Sequence, residues 1–178
     1  TKPPLVIDNC TMSNLLSGQA FYLLKELYAN NIIIPSEVYV EALKYPPLRD
    51  ELAKAIEKEK WMELYIIEEI EDLKNFAQIS KRAGPGEAAV MVVAKKWEGT
   101  AGSDNLRDIV RYCKKHNVPI LGTMRILYDA YKKSIIDIST GDGMVLGMLN
   151  DKRKIPPTIR CFNDILDWFE RGQGVELY

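Results

Sequence analysis

Three features predict an α/β protein with a parallel central sheet. Short apolar, β-branched runs (Leu5-Val6-Ile7, Ile32-Ile33-Ile34, Val118 to Leu121) alternate with stretches whose apolar residues recur at helical spacing. Alternation of strand and helix is the pattern that builds parallel sheets covered by helices. The chain has 178 residues, of which 47% are hydrophobic and 28% charged, enough to bury one sizeable core and too apolar for disorder.

Taken in order, Leu5-Val6-Ile7 reads as a short buried strand, and Phe21 to Tyr28 as a helix that Asn30-Asn31 ends. Ile32-Ile33-Ile34 is a strand stopped by Pro35, after which Ser36 caps a helix carrying Val38, Val40, Glu41 and Leu43. Tyr45-Pro46-Pro47 interrupts that helix, and a charged amphipathic one is expected from Leu48 to Lys60. Met62 to Ile67 is a moderate strand candidate, and residues 69 to 82 read as helix. Gly84-Pro85-Gly86 is a firm break before a largely apolar helix, Glu87 to Trp97, expected to be buried on more than one face. Thr100 to Ser103 has poor strand propensity, but its context favours a strand leading into Asp104 and a helix with Leu106, Ile109, Val110 and Cys113. Val118 to Leu121 is the last strand, Gly122-Thr123 a turn, and Met124 to Lys133 a helix. Two further helices, Met144 to Asn150 and Phe162 to Arg171, flank the basic stretch Lys152-Arg153-Lys154-Ile155-Pro156-Pro157. The expectation is one domain over residues 1–178, with residues 142–178 a C-terminal helical extension of it.

Charge and cysteine content narrow the function classes. Lys and Arg number 24 against 25 Asp and Glu, so the whole-molecule field does not favour a polyanion and any nucleic-acid affinity must come from local patches. Cys10, Cys113 and Cys161 form no C-x-x-C pair and, being odd in number, no complete disulfide set, which favours a reducing, cytoplasmic setting. Apolar runs are far shorter than the roughly 18 residues of a membrane span, and no signal-peptide pattern opens the chain.

Acidic residues stand at the ends of these segments: Asp8 after the first strand, Glu41, Glu87 after Gly84-Pro85-Gly86, and Asp104 with Asp108. Ligands collect at the carboxyl ends of strands in open α/β sheets, where Asp8 and Asp104 fall. Gathered together, such carboxylates suit Mg²⁺ or Mn²⁺, because hard cations prefer oxygen ligands and Mg²⁺ takes one or two carboxylates while keeping several waters. Each acid also has a purely structural reading. Asp8 suits a turn or helix cap, Glu87 is favoured by the helix macrodipole, and Asp108 beside Arg107 and Arg111 suits the start of a surface helix. Glu41 is preferred to Glu37 because Val38 and Ala42 place it at the border of the buried face. His116, beside Lys114-Lys115, reads as a surface residue. Gly141-Asp142-Gly143 with Gly147 partly resembles a phosphate loop but lacks its spacing and reads as a helix entry. The 152–154 basic cluster is either a solvated loop or part of an RNA-facing rim.

The strings Val6-Ile7-Asp8-Asn9-Cys10-Thr11, Ile34-Pro35-Ser36-Glu37-Val38-Tyr39-Val40-Glu41, Gly86-Glu87-Ala88-Ala89 and Ser103-Asp104 together resemble the PIN domain family. Val118-Pro119-Ile120-Leu121-Gly122-Thr123, followed by Ile126-Leu127 and Ala130, is similar to a subgroup related to the VapC toxins. The resemblance spans essentially the whole chain. It implies a three-layer α/β/α fold, a central parallel sheet flanked by helices, and an acidic pocket that cleaves single-stranded RNA. By the same resemblance Asp8, Glu41, Glu87 and Asp104 are the catalytic acids, with Asp8, Glu87, Asp104 and Asp108 as metal ligands and Asn9 and Ser103 as supporting polar neighbours. It further implies a homodimer and a toxin blocked by an antitoxin protein. Two departures stand out: Thr100-Ala101-Gly102 is less hydrophobic than the usual strand, and Asp108-Ile109 occupies a place where the subgroup often carries a small residue and arginine.

The expected chemistry is a Mg²⁺- or Mn²⁺-dependent endoribonuclease leaving a 5′-phosphate and a 3′-hydroxyl, as the resemblance implies. Two other classes compete. A haloacid dehalogenase-type phosphatase would use Asp8 as nucleophile, but Cys10 stands where its second aspartate belongs. A non-catalytic RNA-binding or interaction module would bind through paired lysines such as Lys95-Lys96, Lys114-Lys115 and Lys132-Lys133.

Overall fold

The computed structural model describes residues 3–171, except for the side chain of Asp108. Its five strands are β1 (Leu5–Ile7), β2 (Ile32–Pro35), β3 (Glu63–Tyr65), β4 (Thr100–Gly102) and β5 (Ile120–Leu121). They form one sheet in the order β3-β2-β1-β4-β5, every pair parallel. Register sets Leu5 opposite Ile32 on one side and Thr100 on the other, with Ile7 opposite Gly102. Ten α-helices among the described residues cover the sheet, giving the three-layer α/β/α architecture. They are α1 (Asn9–Ser17), α2 (Tyr22–Tyr28), α3 (Ser36–Ala42), α4 (Pro46–Ala53), α5 (Ile70–Ile79), α6 (Pro85–Lys96), α7 (Leu106–His116), α8 (Thr123–Lys132), α9 (Ile138–Asn150) and α10 (Phe162–Glu170).

The order of strands fixes where a site can form. The chain lays down β1, β2 and β3 in one direction, then returns to place β4 on the other side of β1. Connections therefore leave β1 and β4 toward opposite faces, opening a crevice at their carboxyl ends. Asp8 and Ser103 are the first residues past those two strands. Strand β4 tolerates its low-propensity Thr-Ala-Gly because space there is short: a Cβ at Gly102 would lie 3.0 Å from Leu5 Cδ1 and 3.2 Å from Ile7 Cα. Tertiary packing overrides strand propensity here.

Several elements differ from the sequence expectation. A nine-residue helix, α1, follows β1 directly, where no helix is expected from periodicity; Asp8 caps it by accepting a 2.9 Å hydrogen bond from the Thr11 amide. Its polar Asn9, Thr11, Ser13 and Asn14 obscure the apolar spacing. Helix α4 starts at Pro46 instead of Leu48, since proline is well tolerated in a first helical turn, and it passes at Lys54 into a π-helical turn, Lys54–Lys58. Helix α9 starts at Ile138, capped by Asp137, six residues before the expected Met144. Its glycines account for close packing instead of phosphate binding. A Cβ at Gly141 would lie 2.4 Å from the ring of the fully buried Phe162, and one at Gly147 would lie 2.6 Å from the Ser17 carbonyl oxygen. Helix α9 thus packs on α1, and α10 on α8 and α9.

Helix α6 is the hub of the core. Gly86 and Ala88 through Ala94 are all buried, and the helix touches β1, β2 and β4 as well as α3, α5 and α7. Gly84 caps it with Pro85 in the first turn, so Glu87 also lies in the first turn. Among the described residues no helix is long and apolar enough to cross a membrane, and the three cysteines are free.

Candidate metal centre

Two carboxylates occupy the crevice between β1 and β4. Asp8 is 4% exposed and accepts hydrogen bonds from the Thr11 amide and the Ser103 hydroxyl. Ser103 is fully buried, and its Oγ also accepts from the Asn105 amide at 3.1 Å, so one side chain ties the end of β1 to the turn after β4. Asp104 accepts from the Thr123 amide at 2.9 Å, from the Thr123 hydroxyl and from Asn14 Nδ2 at 3.1 Å. Thr123 in turn is the first residue of α8, with Gly122 as the N-cap between β5 and the helix.

Every hydrogen bond described at these two carboxylates comes from a neutral donor. Burial therefore dominates their titration: it pushes Asp8 from 3.8 up to about 7, against the opposing pull of Ser103 and Thr11, and the negative charge of Asp104 adds to the rise. Asp104 is raised too, first by burial, with Thr123 pulling the other way. The Thr11 hydroxyl is buried near both carboxylates without a formed hydrogen bond, and Asn9 Oδ1 is likewise a buried acceptor with no partner. Two repelling carboxyl groups with spare oxygen ligands nearby form a donor set suited to a hard divalent cation.

The other acids approach this pair through intermediaries. Asn9, the first residue of α1, donates to Glu41 Oε2 at 3.0 Å and to the Val38 carbonyl at 2.9 Å, fixing α3 against α1. Glu41 is exposed while Glu37 is half-buried, so burial does not explain which of them faces the crevice; the Asn9 contact does. Glu41 also abuts the start of α6, because a Cβ at Gly86 would lie 2.9 Å from its Oε2. Glu87 is half-buried and receives a 2.8 Å hydrogen bond from Asn105 Nδ2. Among the described residues no group of three or more His, Cys, Asp or Glu side chains is close enough together to hold an ion by direct coordination alone. The side chain of Asp108 lies outside the described residues, and its backbone belongs to the first turn of α7.

Cys10 feels the charge of three of these acids. Burial pushes its thiol up to about 12, with the negative charges of Asp8, Asp104 and Glu87 adding to the rise and Lys154 opposing it. Asn14, Asn105 and Thr123 were not singled out by the sequence, although they hold Asp104 and Glu87 in place. Thr123 alone carried a signal, a hydroxyl after a strand and a glycine at a helix start. His116 lies half-buried against Tyr112, ring centroids 4.3 Å apart, at the far end of α7 from the crevice.

A family model, DUF3368, described as a PIN domain, matches residues 4–162 of the chain. Neither the curated proteins nor the solved structures gave a match. PIN domains are generally nucleases and typically bind divalent metals. With that match covering most of its length, on a parallel sheet whose crevice holds the buried Asp8 beside the half-buried Asp104, the chain belongs to the PIN domain family.

Proposed function

We propose that this protein is a Mg²⁺- or Mn²⁺-dependent endoribonuclease acting on single-stranded RNA. The observation that carries the reading is the Asp8–Asp104 pair, the first buried and the second half-buried, at the point where the strand order reverses, with a neutral donor at every hydrogen bond described there. A bound divalent ion would polarise phosphate and water there. Asp8 and Asp104 would hold it, with Glu87 reaching it through water, in keeping with the preference of Mg²⁺ for few direct carboxylates. Ser103, Thr123 and Asn14 orient those carboxylates, and Asn105 positions Glu87. Glu41, held by Asn9 on the open side, would accept a proton from an attacking water. Asp108 belongs to the same proposal as an outer ligand. The acidic crevice would also take a basic segment of an antitoxin.

A phosphatase using Asp8 as nucleophile is less well supported. Asp8 is turned into the cap of α1 and toward Ser103, and the residue two positions on is Cys10, whose raised thiol cannot stand in for an acid at neutral pH. Cleavage of an unstructured RNA in Mn²⁺, with and without chelator, tests the nuclease reading. Chelation and Asp104→Asn should each abolish cleavage, whereas full activity of both Asp8→Asn and Asp104→Asn proteins would end it. Metal-independent RNA binding without cleavage would favour the non-catalytic module.

A further inference from the structure

A second cleft, of about 310 Å³, opens directly beside Asp104. Its walls bring together Arg107 from the first turn of α7 and Lys154 from the loop between α9 and α10, with the half-buried Leu106, Ile155 and Pro156 supplying apolar surface. Among the described residues neither Arg107 nor Lys154 makes an ion pair. Both are exposed cations over a site whose own charge is negative.

The loop that carries Lys154 is tethered. Arg153 Nε donates to Ser17 Oγ at 2.6 Å, its guanidinium lies 5.8 Å from the centre of the Tyr45 ring, and the Ile155 amide turns back to the Arg153 carbonyl at 3.0 Å. Lys154 is thereby presented to the crevice from a fixed support, and its charge is felt as far as Cys10. A cation pair beside an apolar wall matches the two halves of a nucleotide, an anionic phosphate and a flat base. The cleft is concave and small, which suits one unstacked unit and excludes a duplex.

We propose that this cleft is a nucleotide subsite, in which Arg107 and Lys154 contact a phosphate next to the one cleaved and the Leu106–Ile155–Pro156 wall takes a base of a single strand. This rests on the nuclease reading for its purpose, but it is tested by binding alone. Phosphate and base are common to RNA and DNA, so both strands serve as probes. Anisotropy of labelled 12-nucleotide single-stranded RNA, single-stranded DNA and duplex RNA is measured in EDTA from 50 to 200 mM salt. Each lost single-strand phosphate contact should lower the salt slope by about 0.7, roughly a 2.6-fold smaller change across that range. Lys154→Ala should show that loss and Arg107→Ala/Lys154→Ala about twice it, with Lys154→Arg restoring the slope and Lys58→Ala, in the π-helical turn after α4, leaving it unchanged.

Equal slopes in wild type and the double variant, an equal loss in Lys58→Ala, duplex binding as tight as single-strand binding, or no single-strand binding by wild type would each overturn the subsite. Cleavage in Mn²⁺ is scored separately. An altered slope with no cleavage by wild type leaves the subsite standing and removes the nuclease, and cleavage with unaltered slopes does the reverse.

Discussion

Replacing Asp8 by Asn should stabilise the metal-free protein at neutral pH, despite removing a carboxyl group that accepts two hydrogen bonds. The folded carboxyl titrates near 7 and the unfolded one near 3.8. Between those values the native state binds more protons than the unfolded state, so stability falls as pH rises, and the fall is complete above about 7. At about 1.4 kcal/mol per pH unit, the span from 3.8 to about 7 corresponds to roughly 4 kcal/mol as an upper bound. Asn remains a good N-cap and can still accept from the Thr11 amide. What it loses is the Ser103 bond, worth about 0.5–1.5 kcal/mol. The expected net gain at pH 8 is therefore about 1–3 kcal/mol, shrinking steadily toward pH 5. Urea unfolding in EDTA at pH 5, 6, 7 and 8 measures the difference between variant and wild type. A difference that stays constant from pH 5 to 8, or a variant less stable by the same amount throughout, would refute the claim that burial without a cationic partner governs Asp8.

The same geometry sets further expectations. Mn²⁺ binding should release about half a proton from Asp8 near pH 7, rising toward one at pH 6, and should tighten as pH rises from 6 to 8, because the ion competes with the proton on Asp8; calorimetry in two buffers of different ionisation enthalpy reads both. Thr123→Val should lower stability by roughly 1.5–3 kcal/mol by removing a hydroxyl donor to Asp104, and should weaken the rise in melting temperature that Mn²⁺ gives. Gly141→Ala should cost about 1–3 kcal/mol because its methyl meets the Phe162 ring. Gly143→Ala, two residues on and with open space, should gain about 0.5–1 kcal/mol in helix propensity. Equal effects of the two in thermal melts would mean that close packing is not the reason for the first glycine.

Residues contiguous in sequence made much of the fold legible. Ile32-Ile33-Ile34 before Pro35, and the Gly84-Pro85-Gly86 break shortly before the seven consecutive apolar or small residues Ala88 to Ala94, have one physically sensible reading each, a buried strand and a buried helix. Helix α1 was hidden because its buried face includes Thr11 and Asn14, polar groups facing the crevice that pattern reading assigns to solvent. The start of α9 was hidden because Gly141 and Gly147 weaken helix propensity while serving contacts with Phe162 and Ser17 that lie far away in sequence.

For the site, the sequence by itself determined which oxygen-bearing side chains are available and that Asp8 and Asp104 follow strands. Only the tertiary structure decided that β4 inserts beside β1 instead of following β3 at the edge of the sheet. That single choice of neighbour puts Asp8 and Asp104 into one crevice, brings Thr123 and Asn14 to Asp104 from 19 and 90 residues away, and carries Lys154 over the same opening. Strand order is set by how the helices pack on both faces of the whole sheet, a sum over contacts between residues distant in sequence, and no local run of amino acids encodes it.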